Sequence, residues 1–245
     1  MTADTSRPLV CDTPRPEARI RLVCFPHSGG SASFYRAWGG ALTEVEVHAV
    51  QYPGRADRFD EEPPHDLVRL AGDIADAVER LADRPLAFFG HSLGAPIALE
   101  TARALQRRNI HIEHLFASGS RDAPLPIGLV AEEDPDRLLD DLVRMGGTDA
   151  EMAADPIFRE VVLPYLIADG RMFHDYVMLP EPLLTCPVTT IVGDRDEDAD
   201  RRPWSALSTS SVREAGVPGD HFYLIADPPY AVLRTALSDP RHDTH

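Results

Sequence analysis

The chain has 245 residues, 43% hydrophobic and 26% charged, with 40 acidic against 24 basic side chains and a net charge of −16. That is the composition of a folded domain of ordinary size, and its acidity argues against a nucleic-acid partner, which needs a basic surface. All 24 basic residues are Arg, so Schiff-base lysines, lysine general bases and a P-loop are excluded.

Residues 1–17 are polar and Pro-containing, lack an apolar run of signal-peptide type, and read as a flexible N-terminal segment. No stretch approaches 18 apolar residues, so no membrane span is expected and the cytosol is the default compartment. Ile20 to Phe25 is a short apolar run ending at Pro26-His27-Ser28-Gly29-Gly30, a strand and then a turn. Val45 to Val50 alternates and stops at Tyr52-Pro53-Gly54, a second strand and turn. Leu67, Leu70, Ile74, Val78 and Leu81 recur at helical spacing, with Asp66 placed to cap the start. Leu86 to Phe89 has strand length and is broken by Gly90; Leu93 to Leu105 then reads as a helix that tolerates Pro96 in its first turn. Ile112 to Ala117 and Val188 to Val192 are further strands, and Tyr230 to Leu237 is a closing helix. Between them, residues 124–184 carry no clear strand signal. One helix is expected around Leu138 to Met145 and another over Ile157 to Tyr176, interrupted at Pro164. Cys11, Cys24 and Cys186 have neither metal-type spacing nor an even count for a disulfide framework.

Strands alternating with helices predict a single α/β domain with a mainly parallel sheet, and the inserted helices of 124–184 predict a lid over a site on that sheet.

Gly90-His91-Ser92-Leu93-Gly94 matches G-x-S-x-G, and its context is the one that motif needs, with LAFF before it and LGAPIALETARAL after it. A serine there sits on a strained strand-to-helix turn, and the helix N-terminus behind it favours negative charge. Serine is a weak nucleophile and needs a base held by an acid. Six His follow Ser92; His242 and His245 belong to the tail, His111 and His114 flank or enter a strand, and His174 lies in the lid. His221, after Gly219-Asp220, is the first choice for the base. For the acid, Asp196 in Gly193-Asp194-Arg195-Asp196 clears a strand end, while Asp194 suits a turn cap and Asp122 could reach the same His from a neighbouring strand. The oxyanion hole needs two backbone N–H groups, one from Leu93 and one from the loop after the first strand, with Ser28 preferred and His27 second. His27 and His91 read as packing residues. No metal or cofactor is called for.

With these pieces in place the chain resembles the type II thioesterases of polyketide and nonribosomal peptide synthesis. The resemblance rests on Leu22 to Ala32, Gln51 to Arg55, Phe89 to Ala95, Met145 to Thr148, Leu163 to Asp169, Tyr176, Cys186 to Val188, Gly193 to Asp196 and Gly219 to Phe222. It implies an α/β-hydrolase with a mobile lid that clears acyl groups from the phosphopantetheine arm of acyl or peptidyl carrier proteins. Carried over residue by residue, it implies Ser92 as nucleophile, His221 as base and Asp196 as acid. Ile167 departs from an Arg usual in that family, and Leu93 from a Met. The chain reads as a discrete protein. Carrier proteins are generally acidic, so long-range charge opposes docking and a local Arg surface is expected to serve, with Arg55, Arg58, Arg144 and Arg171 as candidates.

Overall fold

Short apolar strands flanked by amphipathic helices require both faces of the sheet to be covered, and the computed structural model, which describes residues 8–125 and 134–238, shows that arrangement. The strands are β1 (Leu9–Val10), β2 (Ile20–Phe25), β3 (Val45–Val50), β4 (Leu86–His91), β5 (His114–Ser118), β6 (Ser120–Asp122), β7 (Val188–Gly193), β8 (Asp200–Arg202) and β9 (Val212–Val217). The helices are α1 (Trp38–Ala41), α2 (Leu67–Val78), α3 (Gly94–Gln106), α4 (Pro135–Arg144), α5 (Ala150–Ala154), α6 (Pro156–Asp175), α7 (Tyr223–Ala226) and α8 (Tyr230–Leu237). Seven strands form one sheet in the order β1-β3-β2-β4-β5-β7-β9, parallel except for β1, and β6 pairs with β8 in a small second sheet.

The period-2 alternation of each strand divides the core in two. Val23, Phe25, Phe88 and Leu115 pack on one face with α2 and α3, while Leu22, Cys24, Phe89 and Phe116 pack on the other with Trp38 and Leu233. Asp66 caps α2 as expected, accepting from the Arg69 N–H. From β2 the chain moves outward to β3 and then returns to β4 on the other side of β2. The carboxyl ends of β2 and β4 therefore flank a switch point, the usual place for a site in an open α/β sheet.

Several expectations need correction. The segment 1–17 is not flexible throughout. Leu9 and Val10 pair antiparallel with Val50 and Ala49, and the Arg15 guanidinium donates to the Gly39 carbonyl, so edge-strand backbone groups hold a stretch whose side chains gave no signal. Gly90 does not end β4, which runs through to His91; the glycine is there because a Cβ would lie 2.2 Å from the Gly94 carbonyl oxygen. Pro164 does not interrupt the lid helix. α6 is continuous over 20 residues, started by Asp155 accepting from the Ile157 and Phe158 N–H groups and held beyond the proline by burial of Leu166, Asp169 and Met172. The strand β9 was missed because VREAGV is a largely exposed edge strand with no apolar alternation. The tail residues His242 and His245 lie outside the described residues.

Candidate active site

The residues singled out from sequence converge at the carboxyl ends of four strands. Ser92 follows β4 with φ +53°, a left-handed conformation that a non-glycine residue occupies only under tertiary constraint. Two backbone bonds supply it: the Ser92 N–H donates to the Ser118 carbonyl at 2.9 Å, and the Ser92 carbonyl accepts from the Ala95 N–H at 2.9 Å. A Cβ on Gly94 would stand 2.1 Å from the Phe25 carbonyl oxygen, so the second glycine of the motif lets α3 start hard against the end of β2.

His221 is buried in the loop after β9, with Nδ1 3.1 and 3.0 Å from the two carboxylate oxygens of Asp196. Asp196 follows β7, is itself buried, and also accepts from the Asp198 N–H at 3.1 Å. A carboxylate accepting from Nδ1–H leaves Nε2 as the basic nitrogen, the tautomer a serine nucleophile needs. The imidazole lies against Gly119, where a Cβ would be 2.9 Å from both His221 Cε1 and His91 Cε1. Since Ser118, one residue earlier, holds the Ser92 N–H, His221 and Ser92 share a support.

The other two carboxylates lie elsewhere. Asp122 is exposed and accepts from the Ser205 N–H and hydroxyl at 3.1 and 3.2 Å. Asp194 is exposed and accepts from the Gly219 N–H at 2.8 Å, tying the end of β7 to the turn before His221. Histidines His111 and His114 are bonded to Thr185 and Thr189, and His174 is exposed on α6.

The loop after β2 turns through a Gly30 N–H to His27 carbonyl bond of 2.9 Å, with Gly29 at φ +75°. Among the described residues, the N–H groups of Ser28 and Leu93 have no acceptor, as a pair of oxyanion donors would require. His27 lies edge-on to Phe34 and Phe222 with ring centroids 4.8 and 4.9 Å away. His91 hydrogen-bonds Ser118 Oγ at 2.9 Å, and that hydroxyl bonds Tyr223 Oη at 2.7 Å. Sequence reasoning missed Ser118 and Tyr223; nothing in their local context marks them.

Burial first, and then the neighbouring His221 and Arg55, push the pKa of His27 from 6.5 to about 3. Below pH 6.5 the unfolded chain therefore takes up a proton that the folded chain refuses. The contribution of a neutral His27 is complete above pH 6.5 and is lost as pH falls toward 3, at about 1.4 kcal/mol per unit. His91 is shifted in the same direction, by burial and then by His221 and His27. Melting curves between pH 7 and 4 should show this loss, and His27→Gln should flatten its slope. An unchanged slope would remove His27 as the source.

The arginines expected to form a docking surface are mostly committed. Arg55 is 1% exposed and pairs bidentately with Asp169, because its guanidinium reaches inward under the lid helix. Arg58 is held by Glu61 and the Gln51 carbonyl, Arg144 pairs with Asp141 and Asp198 at the surface, and Arg171 is exposed on α6. Cys11, Glu46 and His48 form the one metal-like group among the described residues. Two of its members stand on β3, and Glu46 there already accepts from Arg21, Arg84 and the Arg15 N–H.

The family described as Thioesterase domain matches residues 20–239. The chain is 39% identical over 235 residues to thioesterase PikA5 of Streptomyces venezuelae, spanning 90% of this chain and 84% of that protein. Among solved structures, the type II thioesterase BorB from the borrelidin biosynthetic cluster superposes with a TM-score of 0.80 at 32% identity, covering 94% of this chain and 97% of that one. The thioesterase RedJ from the prodiginine pathway of Streptomyces coelicolor gives 0.78 at 36% identity, covering 92% and 87%.

Proposed function

The chain belongs to the thioesterase domain family and hydrolyses acyl thioesters, and on that premise we propose that it clears acyl groups from the phosphopantetheine arm of polyketide or nonribosomal peptide carrier proteins, using Ser92, His221 and Asp196. The observation that carries the chemistry is the buried Asp196–His221 pair beside the strained Ser92 turn. His221 Nε2 takes the Ser92 proton as Oγ attacks the thioester carbon. The oxyanion is held by the Leu93 N–H and by that of Ser28, with His27 as the alternative donor. His221 returns that proton to the departing pantetheine sulfur, and the neutral imidazole then takes a proton from water as its oxygen attacks the acyl-enzyme carbon, passing it to Ser92 Oγ as the acid leaves. A thiol leaves more readily than an alkoxide, so protonation of the leaving group is not demanding. The chemistry uses no metal or cofactor, since the substrate brings its own phosphopantetheine.

Of the expected lid 124–184, residues 126–133 lie outside the described residues, and in this reading the described part acts as the lid. Within it, a Cβ at Gly147 would lie 2.8 Å from Phe222, next to the base, and a Cβ at Gly29 would lie 3.2 Å from Leu166 of α6, so the lid packs close to both halves of the machinery. Among the described residues no helix is long and apolar enough to cross a membrane, and the reading places the enzyme in the cytosol beside its synthase.

The test is a panel of acyl-loaded carrier proteins compared with matched small oxoesters. The carrier-bound substrates should show kcat/KM higher by about tenfold or more, a difference of about 1.4 kcal/mol in transition-state binding. Equal values would favour a free-standing carboxylesterase.

A further inference from the structure

We propose that Asp169 and Arg55 are positioning residues of the oxyanion hole, through which the lid helix α6 sets the loop that carries Ser28. This deepens the thioesterase reading and rests on it. The two residues are 114 positions apart, both essentially inaccessible, and belong to no step of the chemistry so far described. Asp169 Oδ1 accepts from Arg55 Nη2 at 2.6 Å and Oδ2 from Arg55 Nη1 at 2.8 Å. The remaining contacts go to the loop after β2. Asp169 Oδ2 accepts from the Gly29 N–H at 2.8 Å, and Arg55 Nη1 donates to the Gly30 carbonyl at 3.1 Å.

Three contacts around the two glycines of this turn are thereby fixed. The Gly29 N–H goes to Asp169, the Gly30 N–H to the His27 carbonyl and the Gly30 carbonyl to Arg55, while the Ser28 N–H remains without an acceptor among the described residues. Charge-assisted bonds of this kind are short and directional, which suits an element that must be held before the oxyanion forms. The guanidinium is itself fixed, with its carbon 4.6 Å from the Tyr165 ring centroid and 5.3 Å from that of Tyr52. Tyr52 in turn donates through Oη to the Pro26 carbonyl at 3.0 Å, on the same loop. Arg55 also cancels the Asp169 charge, so the carboxylate can hold the loop without opposing the anion that develops nearby. Fold stability alone is a weak reason for such a pair, because well-packed apolar residues commonly replace buried ion pairs without loss.

The test uses Asp169→Asn and the paired variant Arg55→Met/Asp169→Leu, which removes both charges together and so avoids a stranded one. Three readouts are taken: melting temperature, kcat and KM on a short acyl-pantetheine thioester, and the rate at which a fluorophosphonate labels Ser92. Phosphonylation also draws on the oxyanion donors and needs no knowledge of the natural substrate. At a temperature where the variants are folded, kcat and labelling rate should fall by about 10²-fold, with KM within about threefold. Folded variants whose kcat and labelling rate stay within about threefold of the parent would overturn the proposal and leave the thioesterase reading intact. If the parent itself fails to turn over the thioester, the thioesterase reading falls. The labelling rate then decides alone: a drop supports the positioning role and an unchanged rate overturns it. Should Asp169→Asn fail to fold, the paired variant decides by the same criteria.

Discussion

Ser92→Ala should lower kcat on an acyl thioester by about 10⁴-fold or more while leaving the fold intact, because it deletes the only atom that forms the covalent intermediate. The φ of +53° at this position belongs to the backbone turn, imposed by the Ser118 carbonyl and the approach of α3 to β2, and alanine meets the same constraint as serine. Melting temperature should therefore change little. Residual turnover above the solution rate should persist, since the Leu93 and Ser28 amides remain to bind the developing oxyanion. A fluorophosphonate should mark one residue in the parent, Ser92, and none in the variant. Labelling elsewhere, or none in a folded parent, would sink the catalytic assignment and favour a hydrolase-fold binding protein.

Asp196→Asn should reduce kcat by about 10⁴-fold, and the structure gives the reason at the level of one atom. The Asp196 carboxylate accepts from the Asp198 N–H through Oδ1 as well as from His221 Nδ1. In the amide variant the oxygen stays with Asp198, an obligate donor, and the NH₂ group is turned toward His221. Nδ1 must then act as acceptor, the proton moves to Nε2, and the nitrogen that should take the serine proton is blocked. Binding is untouched, so KM should stay within about threefold. Asp122→Asn and Asp194→Asn are the comparators. Their partners are the Ser205 N–H and hydroxyl and the Gly219 N–H, which an amide oxygen satisfies equally well. Both should remain within about threefold of the parent. A large kcat loss in Asp122→Asn with Asp196→Asn near normal would overturn the assignment of the acid.

The contrast between what could and could not be read in advance follows particular residues. The strand β3 and the helix α2 were legible because their apolar residues recur at the period of the element, and β2 because it is a short apolar run closed by a turn. The strand β9 and the N-terminal β1 were not, because an edge strand is held by backbone bonds that any side chain permits. Pro164 suggested an interruption on local grounds, and burial of the residues after it overrode that preference. Arg55 was expected at the surface as part of an Arg docking patch; its partner Asp169 lies in another segment altogether.

Ser92 could be identified from a few contiguous residues, because a strand, a glycine-flanked turn and a helix are all local features, although the bonds that hold its strained φ come from Ser118 and from the approach of α3 to β2. The overall acidity and the absence of lysine likewise narrowed the chemistry before any fold was known. Which carboxylate serves His221, and what Arg55 and Asp169 do, depended on contacts across 25 and 114 residues. Pairings of that reach are set by how the strands order in the sheet and how the lid helix packs over them. They leave no periodicity in the chain, so only the folded structure decides them.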